Sequence, residues 1–431
     1  MGRPWSAFVL SFAWFLSAGL CLAAPDDRFD QGADHRPILK EAVASAGKPL
    51  PAASRARLAG DDVPVWISVA NQDVAALGEA FSFPDRPVIL QSGTASVYEA
   101  RTGDLPELSE AMHRKFHKCG GFFAHRTLEA AQRDLEPASA AAAAAYTIDQ
   151  GAIVPGMLSR AQEAAITETI TKLSSFKNRY YRSQTGVASS RWIAQRWKEL
   201  SQGRADMSVS LFRHEGWEQE SVILTVAGTV EPQKVVVLGG HADSIAGWYG
   251  GSDAVAPGAD DNASGVAALT EAVRIIVVSG YRPKRTLKFM AYAAEEVGLR
   301  GSRDIADAFK KDGVAVQGAF QLDMTNFNGS AEDIFLITDN TDAAQNDFLA
   351  KLAATYTPYK LGRTACGYAC SDHASWSKNG FAASFPFEAK FGEDNQDIHS
   401  AQDTLAQSGG HSRHALKFAK LAVAYLVEMA K

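Results

Sequence analysis

Acidic residues and histidines of the kind that hold zinc close five short segments of this chain. These are GGHAD (Gly239–Asp243), PGADDNASG (Pro257–Gly265), AAEEVG (Ala293–Gly298), QLDMTN (Gln321–Asn326) and DIHS (Asp397–Ser400). Three of the first four directly follow apolar runs that read as buried strands: VVVLGG before His241, TLKFMAYAA before Glu295 and GAFQL before Asp323. In open α/β sheets, ligands bind outside the carboxyl ends of the strands. Two imidazoles with three or four carboxylates at such a rim exceed what one tetrahedral zinc can use. Two ions sharing a carboxylate would use them all.

Each segment is weaker alone than in company. In an extended backbone Asp243 points the same way as His241, so it can accept a hydrogen bond from the imidazole and fix its tautomer. Paired Asp260 and Asp261 repel each other unless a cation sits between them; the competing reading is a plain helix-start cluster before Ser264. Glu295 and Glu296 end an apolar strand and should point to opposite sides, one ligating and the other acting on a water. Asp323 in an apolar strand end needs a partner, either a metal or a basic side chain. Other candidates carry less. His113, His117 and Cys119 have zinc-like spacing but read as an exposed helix, and Asp372, His373 and Ser375 lack the nucleophile-elbow context of a hydrolase triad. Cys366 and Cys370, four apart in CGYAC, read as a small disulfide loop, with two unpaired thiols as the alternative.

The elements that must position these groups follow from the rest of the chain. At 431 residues with a formal charge of -6, it can hold a large and a small domain, and it has no electrostatic footprint for nucleic acid or an anionic membrane. Arg3, the apolar run Ala7–Leu22 and the small Ala23 and Ala24 predict a secretory signal peptide over residues 1–24 rather than a membrane anchor. Residues 25–140 are mixed and end near the alanine-rich stretch after Pro137, which suits an exposed connector open to proteolysis, a helix being the alternative. From 141 to 431, strands (SVILTVAG, VVVLGG, TLKFMAYA, GAFQLDM, DIFLITD, AASFPFEA) alternate with helices over 265–279, 342–355 and 412–429, which predicts a layered α/β domain. A capping box at Ser159 and Gln162 and a helix opened by Ser189 are expected ahead of them.

Taken in order, GGHAD, PGADDNASG, AAEEVGLRGS, QLDMTN, CGYACSDHASW and DIHSAQDT resemble the secreted bacterial leucyl aminopeptidases of the M28 zinc peptidase family over residues 150–431. That resemblance implies a three-layer α/β/α fold with a mixed central sheet, preceded by a small pro-region. It implies two zinc ions per chain: His241 and Asp323 on one, Glu296 and His399 on the other, Asp260 bridging. It makes Glu295 the general base and lets Tyr368 steady the tetrahedral intermediate. The substrates are peptides with a free N-terminus, and the mature enzyme is expected to be a secreted monomer. Met324, Phe387, Phe391 and Ile398, with Phe385 and the Cys366–Cys370 loop, can form an apolar cup for a Leu-like side chain, which Asp394 would make more polar. The competing functions are a single-zinc glutaminyl cyclase-like enzyme and a non-catalytic binding domain.

Overall fold

The computed structural model describes residues 62–74, 77, 86–116, 118, 120–136, 146–247 and 251–431. The expected signal peptide, the alanine-rich connector, His117 and Cys119 lie outside these residues.

The C-terminal half is built on a six-stranded mixed sheet in the order β12-β9-β7-β8-β6-β5. Its strands are β5 (Met207–Phe212), β6 (Ser221–Val226), β7 (Glu231–His241), β8 (Arg285–Tyr292), β9 (Ala315–Gln321) and β12 (Ala383–Ser384). The neighbours β12, β9, β7 and β8 run parallel, while β6 is antiparallel to β8 and β5 in turn antiparallel to β6. The parallel strands are buried on both faces, which is why they read as continuous apolar runs without alternation. One face packs Leu224, Val236, Leu238, Phe289 and Phe320 against helices over Glu163–Ser174, Gln184–Leu200, Gly265–Val278 and Arg413–Met429. The other packs Ile223, Val237 and Met290 against Ile305 and Phe309 of a helix over Arg300–Lys311 and against Trp376. This is the three-layer arrangement with a mixed sheet. A small second sheet, β11 (Leu361–Thr364), β10 (Ile334–Ile337) and β13 (Pro386–Phe387), stands beside it.

Two expected helix starts are corrected. Ser183, not Ser189, caps the helix over Gln184–Leu200, its hydroxyl accepting the Gly186 N–H at 2.8 Å; Ser189 is already inside, its hydroxyl turned to the Gly186 carbonyl. No capping box forms at Ser159. It closes a short helix over Val154–Leu158, bonding the Gly156 carbonyl, and the next helix begins at Glu163 without a side-chain cap.

The N-terminal unit is a four-stranded antiparallel sheet, β2-β3-β1-β4, from β1 (Pro64–Ala70), β2 (Val88–Gln91), β3 (Ala95–Arg101) and β4 (Phe122–His125). It carries helices α1 (Leu105–Phe116) and α2 (Leu128–Leu135). Its core is shared with the C-terminal half: Val65, Ile67, Leu105 and Met112 pack in one cluster with Tyr181, Trp217, Ala294 and Val297. β4 reaches the loop after β8 so closely that a Cβ on Gly298 (φ 101°) would lie 2.9 Å from Ala124, and Ala124 N–H bonds the Gly298 carbonyl. Only glycine serves there.

Candidate metal centre

The parallel strands deliver the site. β7 ends in His241, β8 leads after three residues to Glu295 and Glu296, and β9 leads after two to Asp323. The turn before the Gly265–Val278 helix supplies Asp261, and the loop after β13 supplies His399. Ala294, Met324 and His399 all have positive φ, between 48° and 55°. Strain of this kind persists where surrounding structure holds it, commonly at functional sites. Ala294 also ends strand alternation, so both glutamates face the same site instead of opposite sides as the sequence predicted. Glu296 Oε2 lies 2.7 Å from His399 Nε2, and Glu295 Oε2 lies 4.0 Å from His241 Nε2.

Two groups of potential ligands share one member. His241, Asp261 and Asp323 bring ligand atoms within 4.8 Å of one another, and so do Asp261, Glu296 and His399. Asp261 Oδ1 is 3.0 Å from His241 Nε2, and its Oδ2 is 3.2 Å from His399 Nε2. The expectation that Asp260 bridges is therefore corrected to Asp261. Asp260 points away: its oxygens accept Asn326 N–H at 2.9 Å and Asn395 Nδ2 at 3.3 Å. Burial pushes Asp260 up to about 6, opposed by hydrogen bonds from Glu388, Asn326 and Asn395. Glu388 is itself raised well above the carboxylate range by burial and by Asp260, so it holds the proton they share.

The donor set fits a cation. Asp261, Glu295, Glu296 and Asp323 are each at most 5 % exposed, and neither Glu295, Glu296 nor Asp261 Oδ2 receives a well-formed hydrogen bond. Four buried carboxylates against two imidazoles are costly unless positive charge is added. The strain shows in the titrations. Burial pushes Glu295 well above its usual range and Glu296 to about 7, the latter also through Asp261. Burial opposes charge on His241, but Asp323 and Glu295 raise it well above normal.

The positioning shell is tight. The Asp243 carboxylate lies 3.5 Å from His241 Nδ1, which is nearer the Asp243 carbonyl at 3.2 Å. Its two oxygens accept the N–H groups of Glu295 and Glu296 at 3.1 and 3.2 Å. Ser371 donates to Asp323 at 2.6 Å. Arg179, fully buried, donates to the carbonyls of Ala242, Pro257 and Gly258, tying the His241 strand end to the Asp261 turn. Asp261 was legible from the sequence only as one of a cation-holding pair, and Asp403, Arg179, Ser371 and Glu388 carried no expected role. Asp261 and Asp403 do lie inside quoted motifs, PGADDNASG and DIHSAQDT, where a second carboxylate beside a ligand was the available signal.

The residues expected to form a cup come together. Met324, Phe385, Phe387, Phe391, Ile398 and Tyr368 pack together beside Asp323, and Cys366 and Cys370 are disulfide-bonded. Asp394 is on the rim and accepts the Gly392 N–H at 2.7 Å. The space left is about 20 Å³, enough for one water. His113 helps close it. The expected exposed helix is corrected here: His113 on α1 is half-buried, lines the cup and places its ring 4.5 Å from that of His399. Lys118, paired to Asp73 at 2.6 Å, sits 5.1 Å over the Tyr368 ring.

A buried double His/carboxylate centre at the carboxyl edge of a three-layer α/β sheet defines a metal-dependent hydrolase. The pattern of peptidase family M28 matches residues 221–424. The chain belongs to that family and is a metallo-aminopeptidase acting on peptides. It is 34 % identical over 285 residues to a probable aminopeptidase of Saccharomyces cerevisiae, covering 64 % of this chain and 75 % of the relative. It is 34 % identical over 366 residues to a probable leucine aminopeptidase of Trichophyton verrucosum, covering 83 % and 96 %. Among solved structures, the LapA aminopeptidase of Legionella pneumophila superposes with a TM-score of 0.75 at 27 % identity, covering 86 % of this chain and 99 % of that one. Residues 146–431 are two thirds of the chain, so that likeness extends into the N-terminal unit.

Proposed function

We propose that the chain removes large apolar residues from the N-termini of peptides with two zinc ions. The observation that carries this is the position of Asp261, with one oxygen toward each histidine. His241 and Asp323 would hold one ion and Glu296 and His399 the other. When bound, the ions supply an acidified water and polarise the scissile carbonyl. Glu295, adjacent to the centre and without a well-formed hydrogen bond of its own, takes the water's proton on its carboxylate and returns it to the leaving amine. Asp243 holds the backbone of both glutamates so that these roles stay separate. Tyr368, which lines the cup beside Asp323, would donate toward the developing oxyanion. The cup of Met324, Phe387, Phe391 and Ile398 favours Leu over Ala by more than tenfold, at about 0.8 kcal/mol per buried methylene.

The same reading takes the protein as secreted through residues 1–24, monomeric when mature, and restrained by its N-terminal unit. His113 against His399 and the one-water cup support restraint; the shared core supports a folding role. A single-zinc cyclase-like reading would leave one of the two ligand groups without purpose.

The test is hydrolysis of an amino-acid p-nitroanilide panel with metal analysis. Leu, Met and Phe substrates ahead of Ala, Glu and Lys, abolition by chelator and about two zinc per chain are expected. Glu295→Gln keeps both ions and loses about 10²–10⁴-fold in turnover. One zinc at full activity defeats the binuclear reading, and Lys or Arg substrates ahead of Leu defeat the apolar cup in favour of Asp394.

A further inference from the structure

A second cavity, of about 190 Å³, lies between the N-terminal unit and the catalytic half, behind the loop that carries Glu295 and Glu296. Four arginines line it, Arg126 and Arg133 from the N-terminal unit and Arg300 and Arg303 from the catalytic half, against Asp304 and Asp307. Those two carboxylates are already engaged. Asp304 binds His214 at 2.7 Å and Arg126 at 2.5 Å, and Asp307 accepts Asn379 at 2.8 Å. Arg303 pairs with Asp134 at 3.2 Å. Arg300 makes no ion pair among the described residues. It is 5 % exposed, stacks 4.2 Å over the Trp217 ring, and its Nη1 has no hydrogen-bond partner.

Two further donors at this cavity are buried and unpartnered: Trp217 Nε1, on a residue 7 % exposed, and Arg126 Nε. Buried donors without acceptors are costly, and the charge of Arg300 is offset by Asp304, a carboxylate that Arg126 and His214 already share. The first turns of two helices also border the space: Thr127 and Ala130 of α2, and Arg300 and Arg303 of the helix over Arg300–Lys311. Helix N-termini present positive potential to anions, although the N–H groups of Ala130, Arg300 and Arg303 are already bonded to the Thr127 hydroxyl and to the carbonyls of Ala294 and Leu299, so the donors left for a ligand are side-chain ones. The volume leaves room for several waters, so a small anion fits with part of its hydration.

We infer that this cavity binds a small tetrahedral oxyanion of the phosphate type, held by Arg126 on one wall and by Arg300 and Trp217 on the other. The bound ion ties the N-terminal unit to the helix that follows the glutamate loop. Planar monoanions such as acetate match fewer of the donors and bind more weakly.

The test is calorimetric titration of the full-length, zinc-loaded protein with inorganic phosphate, and in a parallel arm with acetate. Expected for phosphate is a one-site isotherm with Kd below about 1 mM. Trp217→Phe, which keeps the ring stack and removes one donor, and Arg126→Ala should each weaken it by about tenfold, the weight of one hydrogen bond to a charged group. Phosphate should also raise the melting temperature of the parent protein more than that of either variant. Phosphate held at the zinc centre would be insensitive to both substitutions. No phosphate binding, equal binding by parent and variants, or acetate binding as tightly as phosphate overturns the assignment.

Discussion

Asp403 grips the backbone of Asp261. One carboxylate oxygen accepts the Asp261 N–H at 3.0 Å while the other accepts that of Asp260 at the same distance. Asp243 does the same for Glu295 and Glu296. Each acidic doublet at the centre is thus aimed by a third, buried carboxylate that need not touch metal. Asp403→Asn can present only one acceptor to two donors. Zinc affinity should fall about 10–100-fold, while activity at saturating zinc returns to within a few-fold of the parent. Zinc titration of the chelated enzyme, read by Leu-p-nitroanilide hydrolysis, checks this; unchanged affinity would refute the role.

The two aspartates of the turn should respond in opposite ways. Asp261→Asn removes the carboxylate shared by both ligand groups, so zinc content should fall well below that of the parent and activity by at least about 10³-fold. Asp260→Asn should keep both ions, because its oxygens serve Asn326 and Asn395. Zinc content measured after gel filtration decides, and the reverse pattern would restore Asp260 as the bridge.

His113→Ala should relieve the closure of the cup. An aromatic contact is worth about 0.5–1.5 kcal/mol, so kcat/KM of the full-length protein should rise roughly 2- to 10-fold, chiefly through KM. A mature fragment lacking the N-terminal unit, and His113 with it, should be at least as active as the His113→Ala variant. Full-length activity unaffected by His113→Ala would leave the unit with a folding role alone.

Acid should destabilise the fold through buried neutral imidazoles. Burial pushes His373 down to about 3, against the Asp339 carbonyl, and His414 down to about 4, with Lys417 adding to it. Both hold protons less readily folded than unfolded, so the unfolded chain takes up more protons and stability falls as pH drops below about 6.5. By pH 5 the loss should reach about 2 kcal/mol for each. In chelator-treated protein Glu296 and Asp260, whose pKa values are raised on folding, take up protons in the folded state and oppose this loss, so urea unfolding at pH 7 and pH 5 reads the histidine share as the difference between the parent and a histidine variant. His373→Gln should remove its share, and an identical pH dependence in that variant would contradict it.

What the chain alone determined is the sheet and most of its rim. VVVLGG, TLKFMAYA and GAFQL are continuous apolar runs because parallel strands are buried on both faces, and a polar ligand immediately after such a run can only lie at the strand's carboxyl end. His241, Glu295, Glu296 and Asp323 were legible for that reason, and the aromatic spacing of Phe385 and Phe387 announced the cup. Periodicity could not choose between Asp260 and Asp261. Adjacent residues in a turn differ only in backbone direction, and that direction is set by Asp403, some 140 residues away in sequence. Nor could it place both glutamates on one side, since strand alternation fails at Ala294 with its positive φ. The N-terminal unit was the least legible part. His113 sits on an amphipathic helix whose own pattern says only that one face is buried; that this face meets His399 depends on how two sheets dock through Gly298. Short-range pattern reports which residues are buried, and only long-range packing decides against what.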